Sequence, residues 1–183
     1  MTGAGSFLDA AALLLRAFFD VCRLRLGPQD MPASNGAAAM AVAANMAASA
    51  AVNAFAMPAH TAALAALVDM AVTVGLTIAV LQAAGHAARA PQTITALAGS
   101  GLVMTALAAP FALGMPAMGI ARQTIALVWL AFLGWGLAVT AHVIRHALSV
   151  RFAAGLAVAL MYFILAFLAT SPLMPAAPAA GPA

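Results

Sequence analysis

A single carboxylate, Asp69, stands inside the long apolar run LAALVDMAVTVGLTIAVL. An ionisable side chain near the centre of a bilayer costs at least about 2.5–3.5 kcal/mol unless it is neutralised or paired, so an acid in this position is a functional candidate by default. Thr73 and Thr77 follow one and two helical turns along the same side. Asn45, at a similar depth in an earlier apolar run, is placed to hydrogen-bond to Asp69. Three uses are open for this group: a neutral acid donating a hydrogen bond between helices, a contact with a partner subunit, or the handling of a proton or ion. Transport ordinarily leaves more than one buried ionisable group, and only one lies this deep here.

The second cluster is His142, Arg145, His146 and Arg151, at the end of WLAFLGWGLAVTAHVIRHALSVR. His142 and His146 are one helical turn apart and could supply two ligands to a metal, or one to a haem. No nearby acid or cysteine completes a metal site, and His60 and His86 fall on loops. Arginine and histidine at a span end more commonly mark the membrane interface, where they contact lipid phosphates and the helix C-terminus. The metal site and the cofactor are therefore both expected to be absent, with phospholipid headgroups as the modest functional alternative.

No phosphate loop, HExxH, nucleophile elbow or acid–base carboxylate pair is present in the sequence, and the chain is expected not to be an enzyme. The lone Cys22 excludes an internal disulfide and a cysteine-based zinc or iron–sulfur site. Trp129, Trp135 and Tyr162 are read as belt or packing residues, and the methionines as gap fillers.

The elements that must position these residues follow from composition. The chain of 183 residues is 66% hydrophobic and 6% charged, with a mean hydropathy of +1.09. A soluble domain needs about 25% charged residues to hydrate its surface, so this is an integral membrane protein. Its basic residues are all Arg and its acids all Asp, which with the abundant Ala reads as a GC-rich bacterial genome. The pI of 10.6 rests on a net charge of only +3 and does not indicate a nucleic-acid partner.

The fold class is all-α: a polytopic membrane protein of five transmembrane helices preceded by an amphipathic interfacial helix. Residues 1–33 form that helix and a linker, 34–171 the bundle, and 172–183 a Pro/Ala-rich disordered tail. In residues 6–26, Asp9, Arg16, Asp20 and Arg23 fall within an arc of roughly 60°, opposite Phe7, Ala11, Leu14, Leu15, Phe18, Val21 and Cys22. Such a helix suits the membrane interface or the cytoplasmic end of the bundle, and Gly27-Pro28 should stop it. No cleavable signal peptide is expected.

The spans are predicted at about 34–57, 60–84, 93–113, 123–145 and 152–171. The first is Ala-rich, with Asn45, Ser49 and Asn53 in a row, and should be buried among the others. The third carries Gly99-Ser100-Gly101 as a close-packing site and Pro110 as a kink. With the N-terminus cytoplasmic, one face receives six arginines and the other only Arg122. That predicts N-in, C-out in a bacterial inner membrane.

This order of elements resembles the Yip family of five-span membrane proteins. The segments RLRLGPQDMPAS, APQTITALAGS and WGLAVTAHVIRHALSVRFAAGLAVALMYFILAFL also look like small membrane proteins of proteobacteria. The resemblance implies an organising or adaptor role, and hands over no catalytic residues. The expected function is that of a non-catalytic accessory or scaffold subunit in a larger membrane assembly, since the Ala-rich and Gly-containing faces offer surplus close-packing surface. Its partners would be the bilayer, phospholipid headgroups and another membrane subunit or a second copy. The alternatives are a small proton- or ion-coupled transporter using Asp69, and a metal- or haem-binding module at His142 and His146.

Overall fold

A computed structural model describes residues 3–174, without the side chains of 3–8 and of 116–117. The described chain is six α-helices: α1 (Gly3–Cys22), α2 (Asn35–Asn53), α3 (Ala59–Ala83), α4 (Ala90–Ala117), α5 (Arg122–Leu148) and α6 (Phe152–Thr170). The last five are each long and apolar enough to cross a membrane. Their surface is what lipid requires: Leu64, Leu107, Leu130, Ile164 and Phe167 point outward, while the helical backbone satisfies its own polar groups. The Phe7 side chain of the predicted apolar face, and residues 175–183 of the predicted tail, lie outside what is described; Ser171–Leu173 form a 3-10 turn.

Around α4 pack α2, α1, α5 and α3, and α6 closes the bundle against α5 and α3. Small residues set these distances. A Cβ on Gly101 would come within 2.9 Å of Asn45, and one on Gly99 would overlap the Phe18 ring. At the α5–α6 crossing a Cβ on Gly155 would lie 2.6 Å from the Ala141 carbonyl oxygen. Without an apolar drive between helices in lipid, such close approach is the main source of association.

Most boundaries follow local chemistry. Ser34 caps α2, its side chain accepting from the Ala37 N–H at 3.5 Å. Gly85, at φ 73°, ends α3 with the His86 N–H returning to the Leu81 carbonyl at 2.7 Å. Three expectations need correction. α4 begins at Ala90, because Pro91 fits the first turn of a helix, and it continues past Pro110 to Ala117. α1 stops at Cys22, before Gly27: Leu24 takes the left-handed conformation at φ 60° and the Arg25 N–H closes onto the Asp20 carbonyl. Finally, α2 is not enclosed. It buries Ala38, Ala41 and Asn45 but leaves Ala39, Ala43, Ala44, Ala47 and Ala51 exposed, because it packs on α3 and α4 through one face only.

Gly155→Val should therefore be among the most damaging conservative changes. Overpacking of this kind costs about 1–3 kcal/mol. A lowered thermal midpoint in detergent, set against an unchanged midpoint for Gly75→Ala, where a Cβ would meet nothing within 4 Å, checks it.

Candidate functional site

Two adjoining chambers of about 360 and 380 Å³, each partly open to the outside, lie among the helices. Asn45 from α2, Asp69 from α3, Leu97 and Gly101 from α4, Thr140 from α5 and Phe163 from α6 line both. Thr73, Tyr162 and Thr170 add to the first, and Ser49, Ser100 and Thr105 to the second. All five spanning helices thus contribute polar oxygen atoms to one interior region, and no Arg or His lies on its wall.

Each polar group has a different local account. Thr77, fully buried, donates to the Thr73 carbonyl at 2.7 Å and accepts from the Tyr162 hydroxyl at 3.2 Å. This bond fixes the Tyr162 ring between α3 and α6. Asn45 is 5% exposed and its Oδ1 has no hydrogen-bond partner. A buried carbonyl oxygen left unmade costs about 1–3 kcal/mol, so this atom marks a place where something else is accommodated. Asp69 is half-buried, its carboxyl opening on the chambers. The hydrogen bond expected between Asn45 and Asp69 is not made: the two share a wall, yet the Asn45 oxygen stays free.

The Asn45–Ser49–Asn53 row leads away from this region. Asn45 lines both interior chambers, Ser49 the second, and Asn53 a further space of about 770 Å³ with Phe55, Phe111 and Ile125. Trp129 borders the second chamber and this outer one.

Toward the opposite end the interior is covered by the N-terminal segment. Phe18, Val21 and Cys22 are buried; Trp135 Nε1 donates to the Cys22 carbonyl at 2.8 Å, and the Cys22 thiol to the Ser100 carbonyl at 3.5 Å. Next, His142 Nε2 donates to the Leu26 carbonyl at 3.1 Å, and Gln92 to the Met31 carbonyl at 3.3 Å. Burial pushes the Cys22 thiol up to about 11.

This changes the reading of the histidine cluster. His142 is 5% exposed and, through the Leu26 carbonyl, ties the segment after α1 to the bundle. Its ring meets that of His146 edge-on at 4.6 Å. Among the described residues no third His, Cys, Asp or Glu joins them in a metal-holding group. Arg145 lies over the Phe152 ring at 5.8 Å, and Arg151 is exposed ahead of α6. Arg89 bridges two loops at this end, its guanidinium donating to the Ala147 carbonyl at 2.8 Å and to Ser149 Oγ at 2.9 Å. His60, expected on a loop, sits in the first turn of α3 and is exposed.

Asp69, Asn45 and Thr73 are thus brought together, whereas His142, Arg145, His146 and Arg151 form a separate group. Sequence reasoning missed Thr140, Thr105 and the chamber-facing role of Tyr162. Their signal was weak: single hydroxyls in apolar runs, which in a membrane helix can equally bond their own backbone, as Thr77, Thr93 and Thr95 do. Comparison of the chain with family models, with curated proteins and with solved structures gives no match.

Cys22 should react slowly with maleimide in the folded protein. At pH 8 a thiol titrating near 11 is only about one part in a thousand thiolate, and the group is 1% exposed. Gly99→Leu, which displaces the Phe18 ring, should speed labelling at least tenfold, as read by intact mass.

Proposed function

We propose that this chain is a small multi-pass membrane protein that binds a solute inside its helix bundle and couples that binding to the protonation of Asp69. It works without catalysis, as a compact proton- or ion-coupled transporter. The observation that carries this reading is the region that Asp69 lines together with Asn45, whose oxygen is unpartnered, walled by all five spanning helices. A purely structural acid would bond a neighbouring helix; this one opens on a cavity. The six arginines read on one side support a cytoplasmic N-terminus in a bacterial inner membrane, with α1 on that side and its charged residues at the interface. The Asn53–Trp129 chamber then lies on the periplasmic side, and the N-terminal segment closes the cytoplasmic one.

Reconstituted vesicles carrying an internal pH dye test this. A panel of small solutes added outside should include one that moves protons in wild-type vesicles, and Asp69→Asn should abolish that movement while remaining monodisperse. Wild-type and variant vesicles that behave alike would refute the coupling.

A second reading, the accessory subunit implied by the Yip-like order of elements, rests on the exposed alanine face of α2. A smooth face of small residues is what a partner helix packs on in lipid. Mild extraction followed by native mass spectrometry should then show a stoichiometric partner, and Ala47→Trp should release it without unfolding the bundle. A lone monomer in both samples contradicts this reading.

A further inference from the structure

We propose that the interior site takes a small organic monocation, a protonated primary or secondary amine with an apolar body. The inference rests on the Asp69 reading above and names its ligand class.

Charge decides the first part. The wall offers one carboxylate and no basic group. In a low-dielectric interior a buried charge must be matched, so one acid balances one positive charge. A divalent ion would leave a net charge stranded, and an anion would double the mismatch.

Size decides the second. Each chamber has room for roughly a dozen waters at about 30 Å³ each. A bare alkali ion would touch only a small part of such a wall. Volumes of this order suit small organic ligands, whose sites are mostly apolar with a few placed polar groups. Here Tyr162 and Phe163 border the first chamber, and Phe132 and Trp129 the second. Aromatic faces attract an ammonium group and cover an apolar body.

The free Asn45 oxygen decides the third. Asn45 is 5% exposed and lines the same wall as Asp69, and its carbonyl oxygen has no hydrogen-bond donor. An N–H of a primary or secondary ammonium supplies one, whereas a quaternary ammonium has none.

Binding is then an exchange. The neutral Asp69 carboxyl releases its proton to water, and the ammonium, keeping all its own protons, takes that proton's place beside the carboxylate. Among the described residues the other titratable group on the wall is the Tyr162 phenol from α6. α2, α4 and α5 present none there; His142 of α5 is engaged with the Leu26 carbonyl.

The test uses full-length protein in lipid nanodiscs, with benzylammonium chloride, its neutral analogue benzyl alcohol, benzyltrimethylammonium chloride and sodium chloride as probes. Binding is read by calorimetry and proton release by a dye in weak buffer. Benzylammonium should bind with about one proton released, so that affinity falls about tenfold for each pH unit lowered while the carboxyl is protonated. Benzyl alcohol and benzyltrimethylammonium should bind at least tenfold more weakly. Asp69→Asn should abolish the proton release, and Asn45→Leu should weaken benzylammonium binding while leaving proton release per bound ligand intact. Benzyl alcohol binding as tightly as benzylammonium overturns the proposal without any variant having to fold. If sodium, and not benzylammonium, drives an Asp69-dependent proton release, the organic ligand class is wrong while the coupling stands. If no probe releases protons from folded wild-type protein, the ligand class and the coupling fall together.

Discussion

The closeness with which other segments approach α4 at Gly99, Ser100 and Gly101 governs the rest of the molecule. Phe18 covers the first glycine, the Cys22 thiol meets the Ser100 carbonyl, and Asn45 covers the second glycine. In lipid no apolar drive pushes helices together, so backbone approach at such positions decides which faces meet. Side chains here would push α1 and α2 outward, and with them the cover over the interior and one wall of its chambers. The same constraint recurs at Gly155, where α6 meets the α5 backbone.

Two kinds of polar group result. One kind is spent on holding segments in place: Trp135 on the Cys22 carbonyl, His142 on the Leu26 carbonyl, Tyr162 on Thr77, Arg89 on Ala147 and Ser149. These bonds are made within the chain and stabilise the N-terminal segment and the loops at one end. The other kind lines the chambers without such a bond: the Asn45 oxygen has no partner, and Asp69 borders both chambers. Among the described residues Asn45 Oδ1 and Arg145 Nε are the buried side-chain atoms without a partner, and of the two only Asn45 lines the chambers that Asp69 borders.

The spans were legible from hydropathy, because length and apolar content in a bilayer are dictated by its thickness. The Gly99–Gly101 stretch was legible as a close-packing site. The end of α1 at Cys22 was not, since nothing about leucine announces a left-handed Leu24. The anchoring role of His142 was hidden for another reason. A sequence shows that a histidine lies near a span end, but not that a returning backbone segment lies beside it. The convergence of Asn45, Asp69 and Thr140 was half legible: depth along each helix could be counted, whereas which faces meet depends on rotations that only the packed bundle sets.

The central claim is that Asp69 faces a watered interior and carries an exchangeable proton. The most direct measurement is infrared difference spectroscopy of the protonated carboxyl band, assigned to Asp69 by its loss in Asp69→Asn, as H₂O is replaced by D₂O. The account predicts a band that shifts within the mixing time and vanishes reversibly as the pH is raised. A band that neither exchanges nor titrates would show an acid sealed between helices, and would contradict it.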